Sequence, residues 1–311
     1  MTNSPAYQPL TPKLLMQLAA PHTWPAALMP TLVGTALAIH HQGFASGTLV
    51  LAVLVIVVLM QSAVNTLNDY FDFKKGADTA ENQMDKNDAV LVFNNVNPNH
   101  VKYFAFALIA FAFLLGGYVI YRAGWIPLAL GIVGAAVLYL YSGGRLPISY
   151  LPIGEFVSGF TMGTLIMLAT YHALTLEFSL LVIAEFVPVL IGIGLILMTN
   201  NTCDIEKDIE AKRKTLPVLL GRQKARQVYH GAFYTMVALI CLYGLLLFTS
   251  GTIMIPLFIL ALYPFGKALC ANPLILQSRV SAMTQILSVN VICGAFYAII
   301  VLTGSSCVLV L

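Results

Sequence analysis

The stretches NTLNDYFDFKKGAD, residues 65–78, and NNTCDIEKDIEAKRKTL, residues 200–216, each close a long apolar run on a cluster of Asn and Asp. Upstream of the first lies LVLAVLVIVVLMQSAV, residues 49–64, and upstream of the second LLVIAEFVPVLIGIGLILMT, residues 180–199. Such runs suit the hydrocarbon core of a bilayer, which takes about 20 mainly apolar residues of helix to cross. The whole chain follows suit. Hydrophobic residues make up 59% of it and charged residues 9%, against roughly 45–50% and 25% in soluble domains. Mean hydropathy is +0.85.

Nine apolar stretches are expected to span, near 22–41, 47–68, 102–121, 125–142, 152–172, 178–200, 228–249, 252–268 and 282–304. Barrel strands would alternate in polarity over pieces of about ten residues, and these runs are longer and continuously apolar. The expected fold is therefore all-α and polytopic, one transmembrane domain over residues 1–311. Within it, residues 1–20 form an N-terminal cytoplasmic segment, and residues 73–101 and 205–227 form cytoplasmic loops. With the N-terminus inside, fifteen of the sixteen Lys and Arg fall on the cytoplasmic face and only Arg122 falls outside, as the positive-inside rule requires. That asymmetry accounts for the net charge of +3 without a nucleic-acid partner. The five Cys have no metal-ligand spacing, and no grouping of His with carboxylates suggests zinc or haem.

Helical spacing sets the two polar clusters. Asn65, Asn68, Asp69 and Asp72 stand at i, i+3, i+4 and i+7, and Asn201, Asp204 and Asp208 at i, i+3 and i+7, with Asn200 four before Asp204. Each set shares a helix face. Either cluster alone reads as a solvated helix end. Both together read differently, because the second and sixth spans run in the same direction and bring both clusters out on one membrane face. That is the pattern of two four-helix repeats plus one further helix around a central apolar chamber. Hard oxygen donors of this kind suit Mg²⁺, with Mn²⁺ as the alternative ion, holding a diphosphate. Lys75, Arg145, Lys212, Arg213 and Lys214 are placed to neutralise its remaining charge. Between the clusters runs YSGGRLPISYLPIGEF, residues 141–156, in which Glu155 enters the fifth span; a charge at mid-helix costs roughly 2.5–3.5 kcal/mol on insertion scales, so Glu155 is expected to be paired or turned inward. His22, Trp24, Tyr139 and Tyr141 sit at expected membrane boundaries, where aromatic rings ordinarily anchor. The segment AVLVFNNVNPN, residues 89–99, is expected to include a short interfacial helix.

These motifs resemble the UbiA family of intramembrane prenyltransferases, and among them the menaquinone-pathway branch that acts on 1,4-dihydroxy-2-naphthoate. The resemblance implies nine helices, Mg²⁺ held by the two Asp-rich motifs, and ionisation of a polyprenyl diphosphate to an allylic cation that an aromatic ring attacks. On it, Asp69, Asp72, Asp204 and Asp208 are catalytic; with Asn65, Asn68 and Asn201 they hold the metal; Arg145 contacts diphosphate; and His22, Tyr139, Tyr141 and Asn200 shield the cation or meet substrate. Asp78, after Gly76, matches the naphthoate branch. Ala20-Pro21-His22 stands where an Arg-Pro pair is usual, and Cys203 where an Arg is frequent. The implied setting is a bacterial or archaeal cytoplasmic membrane, with the site facing the cytoplasm. Other acceptors, such as 4-hydroxybenzoate or a non-quinone ring, are the nearest alternatives. A phosphatidyl-alcohol transferase would crowd its Asp residues into one motif, and a cation-coupled transporter would place them nearer the bilayer midplane.

Overall fold

The computed structural model describes residues 7–76, 90–142, 147–303 and 308–310. Along the chain run α1 (Pro12–Ala19), α2 (Pro25–Gln42), α3 (Gly47–Lys75), α4 (Val90–Phe93), α5 (Pro98–Ala123) and α6 (Ile126–Ser142). Then come α7 (Gly154–Thr175), α8 (Leu180–Glu185), α9 (Val187–Cys203), α10 (Ile205–Glu210), α11 (Leu216–Leu220), α12 (Arg222–Leu246), α13 (Thr249–Ala271) and α14 (Leu276–Leu302). Among the described residues six helices are long and apolar enough to cross a membrane: α3 as far as Lys74, α5, α7, α12, α13 and α14. The protein is an integral membrane protein. The other three expected spans fall on α2, α6 and α9, of 18, 17 and 17 residues. A 17-residue helix covers about 26 Å, near the roughly 30 Å of a hydrocarbon core. Pro256 and Pro264 do not break the eighth expected span. The first lies in the opening turn of its α-helical part and the second inside it.

Two compact units divide the chain, one of residues 1–24 and 55–117, the other of residues 25–54 and 118–311. The first unit is built on α1 and α4. Thr11 accepts the Leu14 amide at 3.4 Å and Pro12 opens α1, where a missing N–H costs nothing. Leu14 and Leu18 of α1 are buried with Val90, Leu91, Val96 and Val101, and Leu10, Tyr70 and Phe104 pack against them. The short helix expected within residues 89–99 is present. It is a single turn, Val90–Phe93, and Val90, Leu91 and Val96 lie in this cluster.

In the second unit α9 is the central helix, packed against α7, α12 and α14. Its approach to α7 is backbone to backbone. A Cβ on Gly159 would strike the Leu190 carbonyl oxygen, one on Gly163 would lie 3.0 Å from the Leu190 Cα, and one on Gly194 would lie 3.0 Å from the Glu155 carbonyl oxygen. Small residues four apart are what lets lipid-embedded helices close to this distance. The same stretch, Gly159–Leu165, winds as a π-helix, a local widening that often marks functional segments. On the opposite side a Cβ on Gly192 would strike Asn290 Oδ1 of α14. Away from the second Asp motif, His41 Nδ1 lies 3.1 Å from the Tyr171 hydroxyl, and Gln42 donates to the Thr175 carbonyl at 2.9 Å. Two short strands, β1 (Phe44–Ser46) and β2 (Val308–Val310), pair in parallel, Phe44 opposite Val308.

Gly159→Val should lower the melting temperature in detergent by the equivalent of about 1–3 kcal/mol, the usual cost of overpacking. Gly116→Val, where an added Cβ meets nothing, is the matched control and should melt like wild type.

Candidate functional site: two Asp motifs on helix ends

The first motif stands on α3, which stays helical through Lys75 and stops at Gly76 with φ +66°. Asn65, Asn68, Asp69 and Asp72 therefore share one helix, as their spacing predicts. Their surroundings differ. Asn65 donates to the Ala19 carbonyl at 3.0 Å and to Thr23 Oγ1 at 2.8 Å, and accepts from Gln61 at 3.3 Å. Thr66 donates to the Leu18 carbonyl at 3.2 Å. Together these satisfy carbonyls left open where α1 ends in left-handed Ala20, φ 46°. Trp24, expected as a boundary anchor, donates its indole N–H to Ser62 at 3.0 Å. His22 lies in the single 3₁₀ turn Pro21–Thr23. Asp69 is buried and accepts the Val90 amide at 2.9 Å and the Leu91 amide at 3.5 Å, capping the turn whose apolar side chains fill the core. Asp72 is half-buried and Asn68 exposed.

The second motif sits at the C-terminal end of α9. Its helix breaks once, at Asp204 (φ −100°, ψ 17°), before α10 resumes at Ile205. Asn201, Asp204 and Asp208 are all buried. Asn201 donates to Glu155 Oε1 at 2.9 Å, so the intramembrane Glu155 is paired, as its cost predicts. Asn200 accepts from Arg279 Nε at 3.0 Å and Nη2 at 2.8 Å, and the same Nε lies 3.3 Å from Asp204 Oδ2. Asp208 accepts from Thr215 at 3.1 Å and meets Arg213 Nη1 at 3.5 Å, while the Arg213 guanidinium stacks over the Tyr150 ring at 5.1 Å. Burial pushes the Asp208 carboxyl above its ordinary range, and Arg213 and Thr215 pull it partly back. Arg222 grips Glu206 through two bonds of 2.9 and 2.8 Å and reaches the open Thr202 carbonyl of α9 at 3.2 Å.

Within the second unit, then, the chain gathers Asn200, Asn201, Asp204, Asp208, Glu155 and Arg213 around the end of α9, in three bonded groups: Glu155 with Asn201, Arg279 with Asn200 and Asp204, and Asp208 with Arg213 and Thr215. Tyr141 is adjacent: its hydroxyl lies 3.8 Å from where a Cβ on Gly154 would stand. Tyr139 is exposed, and so are Lys212, at φ 56°, and Lys214, whose amide bonds the Tyr150 carbonyl at 2.9 Å. Lys75 closes α3, and Asp78 and Arg145 lie outside the described residues. Sequence reasoning missed Arg279, Thr215 and Tyr150. Arg279 showed only as a cation at the inner end of the last apolar run, 79 residues from Asn200.

Do these residues suit a hard divalent cation? Among the described residues no three His, Cys, Asp or Glu side chains converge as a metal-binding group. The donors nonetheless fit. Asp204 Oδ1 and Glu155 Oε2 are buried oxygens without a hydrogen-bond partner, an arrangement that costs about 1–3 kcal/mol apiece unless something else meets them. Carboxylate and amide oxygens are the ligands that Mg²⁺ takes.

An all-helical integral membrane protein with carboxylates gathered at a helix end defines the class. Residues 27–272 match the model of the UbiA prenyltransferase family, and the chain belongs to that family and is an aromatic prenyltransferase. It is 37% identical over 235 residues, 76% of this chain and 74% of the other, to the 1,4-dihydroxy-2-naphthoate octaprenyltransferase of Bacillus subtilis. It is 28% identical over 284 residues, 89% of this chain and 80% of the other, to the UbiA prenyltransferase domain-containing protein 1 of Danio rerio. Its fold matches a UbiA homolog from Archaeoglobus fulgidus, solved bound to DMAPP and Mg²⁺, at a TM-score of 0.61 and 15% identity, covering 93% of this chain and 99% of that one.

Asp69→Ala should loosen the turn it caps. Hydrogen exchange at the Val90 and Leu91 amides is expected to speed up by about 10- to 150-fold, the equivalent of a lost hydrogen bond to a charged group, while amides of α12 stay as protected as in wild type.

Proposed function

We propose that the protein transfers a polyprenyl group from its diphosphate to 1,4-dihydroxy-2-naphthoate in a Mg²⁺-dependent reaction of menaquinone synthesis. The observation that carries the acceptor is the 37% identity to the Bacillus subtilis naphthoate enzyme. The metal and donor are supported by the DMAPP and Mg²⁺ bound to the Archaeoglobus fulgidus homolog, together with the unpartnered oxygens of Asp204 and Glu155.

In this reading Asn68, Asp69 and Asp72 of the first motif and Asn201, Asp204 and Asp208 of the second are the residues that would hold the metal. When bound there, Mg²⁺ would supply positive charge to the departing diphosphate. Arg213, now against Asp208, and the exposed Lys212 and Lys214 supply further positive charge for it. In the donor the bond from the allylic carbon to the diphosphate oxygen breaks. A bond then forms from that carbon to the ring carbon bearing the carboxylate, and the carboxylate leaves as CO₂, returning its electron pair to the ring. Aromatic side chains near the motif, Tyr141 among the described ones, would face the allylic cation through their π electrons. Nine spans in two four-helix repeats plus one, an inside N-terminus and a cytoplasmic site in a bacterial or archaeal membrane complete the reading. The cation asymmetry of the sequence supports that orientation.

The test is a product assay with purified protein, Mg²⁺, farnesyl diphosphate and a panel of aromatic acids, read by mass. A prenylated, decarboxylated naphthoquinol is the expected product. Diphosphate release with 4-hydroxybenzoate alone would move the protein to another acceptor. Asp72→Ala and Asp204→Ala should each abolish turnover while leaving the protein folded, and excess chelator should stop the wild type. Activity surviving both substitutions and the chelator would rule out the metal-dependent reading.

A further inference from the structure

Arg279 begins the last long α-helical run, and its side chain turns to the end of α9. It donates Nε and Nη2 to Asn200 Oδ1 at 3.0 and 2.8 Å, and Nε lies 3.3 Å from Asp204 Oδ2. Asn200 and Asp204 are one helical turn apart, so one planar guanidinium spans both. The result is asymmetric for Asp204. One carboxylate oxygen is held by a cation, while the other, Oδ1, is buried with no hydrogen-bond partner. A guanidinium that grips one oxygen fixes the rotamer of the whole carboxylate. It thereby fixes the direction in which the unpartnered oxygen points.

We infer that Arg279 is a positioning residue, which locks Asp204 through a two-point contact with Asn200 so that Oδ1 is held ready as a metal ligand. The inference rests on the metal-dependent transfer proposed above. It also changes the place of Asn200, whose carbonyl oxygen is occupied by Arg279 and serves to aim it. Outer partners that orient a ligating carboxylate characteristically change metal affinity by about 10- to 100-fold when removed. A tie between two helices would change thermal stability alone.

Purified full-length protein in detergent is titrated with Mn²⁺ in the presence of inorganic diphosphate, following the spin resonance of free Mn²⁺. Asp204→Asn marks the binding that depends on this carboxylate. Arg279→Gln is expected to weaken that same binding by about 10- to 100-fold, with metal-free melting measured alongside. Arg279→Lys keeps the charge but loses the planar fork that bonds Asn200 twice, and should recover only part of the affinity. It also carries the test if Arg279→Gln does not fold. Wild-type Mn²⁺ affinity in the folded Arg279 variants, against a clear loss in Asp204→Asn, would overturn this inference and leave the proposed reaction standing. A wild-type protein that takes up no Mn²⁺ would overturn the metal-dependent reading itself, and the role of Arg279 with it.

Discussion

A carboxylate at the edge of a lipid-embedded helix bundle persists only where donors meet it, and in this protein most of those donors come from other segments of the chain. Asp69 takes the amides of Val90 and Leu91. Asp208 takes the Thr215 hydroxyl and the Arg213 guanidinium. Asp204 takes Arg279, and Glu155 takes the Asn201 amide. Each partnership removes part of the cost of burying the charge. It also decides which segment lies against the motif: the Val90–Phe93 turn on the first, the Lys212–Thr215 segment and the start of the last helix on the second.

Helices and motif positions were legible in the sequence because they depend on local quantities. A run of about 20 apolar residues forms a helix in lipid whatever its neighbours, and spacing of three, four and seven sets a face. The Asn65–Asp72 helix followed from that directly. The break at Asp204 did not, since nothing in the spacing distinguishes a continued helix from one that turns once in the bridge region. The short helix at Val90–Phe93 was legible, but the burial of Val90 and Leu91 against Leu14 and Leu18 depends on partners in a distant part of the chain. Asn65 read as a metal donor and Asn200 as a substrate contact, and neither reading carries the side-chain contacts the fold gives them. Their actual partners, the end of α1 and Arg279, are 42 to 79 residues away, and no local pattern encodes contacts of that range.

The scaffold explains how a helix end can be held steadily enough for such chemistry. Helix α9 meets α7 at bare backbone, with Gly159 and Gly163 against Leu190 and Gly194 against the Glu155 carbonyl. Side chains in so narrow a gap have no room to rearrange, so α9 cannot slide on α7 without a clash between main chains. Glu155 stands at the start of α7 and Asn201 near the end of α9, and their hydrogen bond joins the same two helices at the motif itself. Close packing therefore fixes the axis of α9, the Glu155–Asn201 bond fixes its rotation where the motif begins, and Arg279 and Arg222 hold its last turn through Asn200 and the Thr202 carbonyl. A carboxylate that follows such a turn inherits its position from the backbone. What remains free is its rotamer, the one coordinate a guanidinium on Oδ2 can set.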